Sequence, residues 1–315
     1  MTGVIRGREP EAAGRPARRR RLLTGRDRVV LTLMVGVPTL LTLCLVWVPA
    51  VATVVLSFTS WNGVSGIGGV QWLGGTNYHD IVTSYPLFWP AVRHNLTWLA
   101  VFFVIPAPAG LFLAFTLDKN IRGSRVYQSV LFLPVVLSLA LVGFITELIF
   151  SPTQGLVNNL LGNAQGPHPI DWLGKPGLDL TAVLIMACWR QTGYVMILFL
   201  AGLKAVDPSV KEAAALDGAS EWRMFWKVIF PILRPITIVV GVVTVIESLR
   251  AFDIVYVVNG GTNGLELLSV LITQNIIGEA SRIGYGSALA VILLVISLGT
   301  IIPYLTAVFS GERKA

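Results

Sequence analysis

The chain has little of the charge on which a soluble enzyme depends. Of its 315 residues, 24 are Lys or Arg and 17 are Asp or Glu, so 13% are charged, whereas soluble domains carry about 25%. Its two cysteines, Cys44 and Cys188, lie inside apolar runs and match neither a CxxC pair nor a metal-ligand spacing. With 54% apolar residues and a mean hydropathy of +0.72, the composition excludes an ordinary cytosolic enzyme and a disordered chain. It indicates an integral membrane protein.

Motifs for catalysis and for nucleotide binding are also missing. The sequence contains no GxxxxGK[ST], so this chain cannot form a P-loop for ATP. His79, His94 and His168 show neither HExxH nor paired spacing, which argues against a zinc site. We therefore expect no enzymatic activity and no cofactor or metal in this chain.

Six apolar runs are long enough to cross a bilayer as helices, which takes about 20 residues each. They predict an all-α membrane protein with spans at residues 29–58, 95–117, 126–150, 180–203, 235–258 and 285–309. The spans form one domain, 29–310, between a basic tail, 1–28, and a short tail, 311–315. Tryptophans near one predicted surface are expected to form an interfacial belt. They are Trp61, Trp72, Trp89, Trp98 and Trp172.

The distribution of basic residues predicts the orientation. If the N-terminus is inside, the inner segments 1–28, 118–125, 204–234 and 310–315 hold 19 of the 24 Lys and Arg, and the outer segments hold three. The positive-inside rule then predicts a multi-pass protein with both termini in the cytoplasm. The net charge of +7 is explained by this topology and by anionic lipid, so we expect the bilayer and no nucleic acid as a partner.

The inner segment 204–234 is predicted to form two short helices. Asp207 is a good N-cap, Pro208 suits the first helical position, and Gly218 is the usual left-handed terminator. A second helix can begin at Ser220. Its apolar residues follow the i, i+3, i+4, i+7 spacing of one helix face, and they are Trp222, Phe225, Trp226 and Ile229. Such a face is buried either in lipid headgroups or in a partner protein, and the spacing alone leaves both open.

The same segment carries a recognisable motif. Glu212-Ala213-Ala214, then Asp217-Gly218-Ala219, then Ile229-x-Pro231 resemble the EAA loop of ABC importer permeases, and 204–234 is called the EAA loop below. Several further motifs resemble the carbohydrate-uptake branch, and the MalF/UgpA-type subunit more than its MalG-type partner. They are Ser57-Phe58-Thr59-x-Trp61, Asn77-Tyr78, Leu133-Pro134, Trp189, Ala201-Gly202-Leu203 and Phe252-Asp253-Ile254-Val255-Tyr256. The resemblance covers about residues 30–310. It departs at Asn259-Gly260-Gly261-Thr262, where the family often has Gly-Gly-Pro, and in lacking the large outer domain of some members.

The resemblance implies a bacterial importer built from several chains. An extracytoplasmic binding protein delivers a sugar to this chain and a second, MalG-like permease subunit, and two ATPase subunits bind ATP and Mg. It implies that Glu212 lies near an ATPase arginine, that Gly218 makes the turn, and that Ala213 and Ala214 allow close packing. Apolar contact is implied for Trp222, Phe225 and Trp226. For Asp217, a local capping role competes with a role in docking.

Charged residues inside the predicted spans are the second candidate site, because a charge at the bilayer centre is expected to face a cavity or a partner. On the fourth span Arg190 and Gln191 share a face, and on the fifth Thr244, Glu247 and Ser248 do. The resemblance places sugar contacts near these five residues, although the family pattern there is asparagine and aromatic. The alternative is structural pairing, either Arg190 with Glu247 or Arg250 with Asp253.

Other classes of function are compatible with the spans alone. Charges in the fourth and fifth spans would suit a non-sugar solute such as glycerol phosphate, a polyol or a peptide. A secondary transporter would use the same charges to relay ions. A membrane enzyme or a receptor-like scaffold is less compatible, because catalytic motifs are missing and an EAA loop is present.

Overall fold

The computed structural model describes residues 24–64, 66–119, 121–278 and 281–310. Their regular structure is helical, apart from an isolated antiparallel bridge between Thr59 and Trp72, and the predicted all-α class is confirmed. Most of the predicted N-terminal tail and the tail 311–315 lie outside the described residues.

The helices follow one another with short connections. In chain order they are α1 Gly25–Leu56, α2 Thr76–Ser84, α3 Phe88–Asp118, α4 Ser124–Val136, α5 Leu139–Phe150, α6 Leu156–Leu160, α7 Leu178–Lys204, α8 Pro208–Leu216, α9 Glu221–Ile232, α10 Arg234–Leu249, α11 Asp253–Asn259, α12 Leu268–Ile276 and α13 Ile283–Ser310.

Four of these helices, α1, α3, α7 and α13, are long and apolar enough to cross a membrane alone. Two further candidates are bent. The axes of α4 and α5 differ by 97°, and α9 is bent by 72° from the Arg234–Asn259 segment. The number of crossings equals the six predicted spans if each bent pair is one crossing.

The corner between α4 and α5 has a local cause that the hydropathy pattern did not register. Between α4 and α5, Leu137 is extended, and the Ser138 hydroxyl caps α5 by accepting a hydrogen bond from the Leu141 amide. Predicted span 126–150 therefore contains a corner. Predicted span 235–258 contains another break, because α10 ends at Leu249 and α11 begins at Asp253.

The chain divides into two units after Val51, inside α1. In the first unit, α1 begins with a capping box between Thr24 and Asp27 and contains a π-helical turn at Leu43–Trp47. The second unit, from Ala52 onward, contains the remaining helices and both candidate sites.

The second unit is organised around α7. In its most apolar stretch 61% of the residues are buried, compared with 22% in α3 and 11% in α13, so α7 is the central helix among these three. It packs on α3 and α4 through glycines. A Cβ at Gly110 of α3 would lie 2.6 Å from Val195 Cγ1, and one at Gly193 would lie 2.3 Å from the Leu131 carbonyl oxygen. Only glycine allows these helices to approach so closely.

Candidate functional site

The first helix of the EAA loop starts and stops as the sequence predicts. Asp207 Oδ1 accepts a hydrogen bond from the Ser209 amide at 2.9 Å, and this bond holds the pKa of Asp207 below its usual value. Gly218 adopts φ +73°, and its amide donates to the Ala215 carbonyl at 3.1 Å. The predicted N-cap and left-handed terminator are therefore confirmed.

The second EAA helix divides its apolar residues between two faces. Trp222 is 72% exposed and Trp226 is also exposed, whereas Phe225 is 5% exposed and Ile229 is buried. The Phe225 ring packs edge-on against Phe115 of α3, with 4.6 Å between centroids. The prediction that Phe225 offers an apolar contact to a partner is therefore wrong, because the end of α3 already covers this side chain.

Ion pairs fasten both EAA helices to the end of α3. Asp118 accepts from Lys211 of α8 at 2.8 Å and lies 3.2 Å from the ammonium of Lys204, at the end of α7. The next residue, Lys119, pairs with Glu221 at the start of α9. We call this group of five charged residues the α3 brace. It connects the two EAA helices to the ends of α3 and α7.

Beyond the brace, the EAA loop presents an exposed surface. Glu212, Ala213, Asp217, Gly218, Trp222 and Trp226 are all exposed, while Ala214 is buried against the chain itself. Asp217 is the C-cap residue of α8, where its backbone amide donates to the Ala213 carbonyl at 3.0 Å, while its side chain forms no hydrogen bond or ion pair within the described residues. The indoles of Trp222 and Trp226 meet edge-to-face at 5.5 Å and give this surface an aromatic edge.

The intramembrane candidates meet at a narrow cavity of about 20 Å³, which has room for about one water molecule. Polar side chains from three helices line it, namely Trp98 of α3, Arg190 and Gln191 of α7, and Glu247 of α10. Among the described residues, none is a hydrogen-bond partner of the buried atoms Trp98 Nε1, Arg190 Nε and Gln191 Nε2. Buried polar atoms are nearly always paired, so three unpaired atoms around one cavity distinguish it from ordinary core.

Thr244 and Ser248, the other two candidates, do not line the cavity. Both are buried on α10, and the Ser248 hydroxyl donates to the Thr244 carbonyl at 2.6 Å. Thr244 Oγ1 has no hydrogen-bond partner in the part of the chain that the structure describes. The hydrogen bond of Ser248 is thus satisfied within its own helix. Thr244 retains an unpaired hydroxyl, and it lies within one helical turn of Glu247.

The two structural pairings considered for the charged residues are not formed. Instead, Glu247 pairs loosely with Arg250 along α10, at 3.7 Å between Oε1 and a guanidinium nitrogen. Across the described ranges, Arg190 forms no ion pair and Asp253 is exposed. Insertion of a charge at the bilayer centre costs about 2.5–3.5 kcal/mol, so we expect Arg190, which lacks the partner that Glu247 gives to Arg250, to be compensated by a ligand or a partner chain.

Trp98 is the residue that the sequence misplaced. The prediction of an interfacial belt fits Trp72 and Trp89, which are exposed, but Trp98 is 1% exposed and lies in the cavity wall. The only signal was Asn95, three residues earlier in α3. The buried Asn95 side chain accepts from the Leu268 amide at 3.0 Å, which marks this face of α3 as the inner one.

Comparison with known proteins gives a consistent result. Residues 107–313 match the family described as binding-protein-dependent transport system inner membrane component. The xylose/arabinose import permease XacH of Haloferax volcanii is 34% identical over 79% of this chain and 78% of its own length. The trehalose/maltose transport system permease MalF of Thermococcus litoralis is 30% identical over 84% of this chain and 90% of its own.

A solved structure shows the same fold. It is that of a bacterial alginate ABC transporter in complex with an alginate pentasaccharide-bound periplasmic protein. One of its chains superimposes with a TM-score of 0.75 at 20% identity, covering 89% of this chain and 93% of that chain. The chain described here therefore belongs to the family of inner-membrane components of binding-protein-dependent transport systems.

Proposed function

We propose that this multi-pass chain is the permease subunit that receives a sugar from an extracytoplasmic binding protein and passes it across the cell membrane. A second, MalG-like permease completes the pathway, and two ATPase subunits carry ATP and Mg and supply the energy. The relatives named above are permeases for xylose and arabinose and for trehalose and maltose, which supports a sugar as the solute.

The observation that carries the proposal is the construction of the EAA loop. One side is fastened to α3 and α7 by the α3 brace and by Phe225, and the other side leaves Glu212 and the indoles of Trp222 and Trp226 exposed. A surface of this kind can bind a partner and pass its movement to the membrane helices as a rigid body. We assign the exposed side to the ATPase.

The proposed orientation follows from the same loop. The EAA loop and the 118–125 connection hold eight Lys and Arg, and the positive-inside rule assigns such segments to the cytoplasm. Both termini are then cytoplasmic, and the opposite end of the bundle receives the binding protein. Cysteine labelling of single-cysteine variants at Trp222 and at Trp72, in intact cells and in inverted vesicles, tests this orientation. Labelling of the Trp222 position from outside would reverse it.

The decisive experiment replaces Glu212 by alanine in the complete importer. We expect the ATPase subunits to co-purify poorly and ATP-driven sugar uptake to fall at least about tenfold. A tenfold loss corresponds to about 1.4 kcal/mol of interaction free energy between the EAA loop and the ATPase. The amount of variant chain in the membrane should not change, because Glu212 is exposed.

A matched control uses Asp80, a half-exposed carboxylate of α2 in an outer segment. Asp80→Ala should retain the ATPase subunits. If Glu212→Ala also retained them and kept full uptake, the assignment of the EAA loop to coupling would be abandoned.

A further inference from the structure

The cavity between α3, α7 and α10 has a chemical bias toward one kind of ligand. Trp98 and Gln191 are 1% and 2% exposed. Among the described residues, the Trp98 ring nitrogen, the Gln191 amide nitrogen and Arg190 Nε have no hydrogen-bond partner. An indole and a guanidinium only donate hydrogen bonds. A ligand must therefore offer acceptor oxygens to at least two of these groups, since a buried donor without an acceptor is unfavourable.

The charges at the cavity also favour a ligand with acceptor oxygens. Arg190 and Glu247 line it, and Glu247 is already approached by Arg250 at 3.7 Å. Arg190 has no ionic partner among the residues that the structure describes, and Asp253 lies exposed outside the lining. One positive charge is thus left over at a partly buried site in a predicted span, where attraction to an anion is stronger than in bulk water.

We infer that the solute is a sugar that carries an anionic oxygen group, such as a uronic acid, and that Arg190 is the residue that selects it. The anionic oxygens accept hydrogen bonds from Arg190 and Trp98, and the Glu247 carboxylate accepts from sugar hydroxyls. A neutral sugar satisfies Glu247 but leaves the Arg190 charge uncompensated. This inference rests on the proposed function, because it names the substrate class of the same pathway.

The cavity must widen for this to happen, because about 20 Å³ is too little for a sugar ring. Two features permit widening. The α10 helix ends at Leu249, just after Glu247, and α4 and α5 meet at a corner beside Leu139, which also lines the cavity. The second permease subunit is the other possible source of an acceptor, since a carboxylate on that chain could pair with Arg190.

The test is equilibrium binding to the intact importer in nanodiscs, without the binding protein. The probes are radiolabelled disaccharides of glucose, galactose and mannose, each with its uronate counterpart, so the members of a pair differ only at C6. We expect one uronate to bind at least about tenfold more tightly than its neutral counterpart, as expected for hydrogen bonds to a charged group. Arg190→Gln should abolish this preference, and Arg190→Lys should retain part of it.

Arg93→Gln is the control, because Arg93 is exposed near the start of α3 and does not line the cavity. It should keep the preference. The inference would be overturned if every neutral sugar bound as tightly as its uronate counterpart, or more tightly. It would also be overturned if the unaltered importer showed no uronate preference and Arg190→Gln failed to assemble. That second result would mean that Arg190 contacts the second permease subunit.

ATP-driven uptake with the binding protein present is measured in parallel. Uptake of neutral sugars without a uronate preference would overturn only the inference and leave the proposed function standing. No ATP-driven uptake of any sugar would remove both.

Discussion

The charged groups at the EAA loop and those in the membrane cavity are arranged in opposite ways. At the loop, Asp118 and Glu221 each meet a lysine, and Asp118 meets two. In the cavity, Arg190 has no ion pair within the described part of the chain, and Trp98 and Gln191 each keep an unpaired polar atom. Paired charges fasten structure, whereas unpaired ones in a buried site are poised for a ligand or partner.

The largest expected effect on stability comes from a substitution on the buried face of α9, and the exposed face provides the comparison. Phe225→Ala should lower the free energy of unfolding by about 3–5 kcal/mol, because it empties the contact with Phe115. Trp222→Ala should leave stability nearly unchanged, because that side chain is 72% exposed, but it should weaken ATPase binding. Denaturant unfolding of the purified chain and co-purification of the ATPase measure the two effects. Equal destabilisation by both variants would contradict the division of faces.

Removal of the central carboxylate of the brace should have the next largest effect. Asp118→Asn removes the carboxylate that Lys204 and Lys211 share and should cost about 1–3 kcal/mol of stability. If the brace transmits movement, sugar taken up per ATP hydrolysed should also fall several-fold. Asp80→Asn, at a half-exposed carboxylate, should change neither quantity. An unchanged transport ratio in Asp118→Asn would show that the brace is structural only.

Two glycines with the same backbone conformation test the turn of the EAA loop. Gly218 and Gly162 have φ +73° and +68°, and a Cβ at either would meet open space. Alanine at either position should therefore cost about 1 kcal/mol from the left-handed backbone alone. Only Gly218→Ala should reduce ATP-driven uptake, since Gly162 follows α6 and lies outside the EAA loop. A similar loss of uptake in Gly162→Ala would mean that backbone strain, not the position of the turn, is responsible.

The smallest expected change in stability is at Thr244. Thr244→Val removes a buried hydroxyl without a hydrogen-bond partner and should change stability by less than about 0.5 kcal/mol, or raise it. In Thr146→Val, the lost hydroxyl donates to the Val142 carbonyl at 2.7 Å, so that variant should lose about 1 kcal/mol. Thermal unfolding of the two variants gives the comparison. A clear destabilisation by Thr244→Val would assign its hydroxyl to the core.

Several local features were predictable from the sequence because they depend on neighbouring residues. Asp207, Pro208 and Gly218 begin and end a helix through short-range hydrogen bonds and backbone preference. Apolar runs indicate membrane helices because backbone groups in lipid must be paired within the segment. The corner at Leu137 was missed for the opposite reason, since hydropathy averages over a bend without registering it.

The location of Trp98 and Phe225 could not be predicted in this way. Trp98 fits an interfacial belt as well as a cavity wall until α7 and α10 are placed beside it. Phe225 fits the exposed apolar face of a helix until the end of α3 is placed over it. In both cases the neighbour that decides the outcome is distant in sequence, more than 90 residues away for Trp98 and Arg190 and for Phe115 and Phe225.

The sequence by itself determined that the chain crosses a membrane, which of its segments are basic, and which loop carries the EAA motif. The tertiary structure alone decided which charges are paired, which apolar side chains remain exposed, and which polar atoms meet at a cavity. The reason is physical. Chain-local preferences fix helices and their ends, whereas pairing and burial are properties of surfaces from different helices, and these exist only once α3, α7 and α10 have packed together.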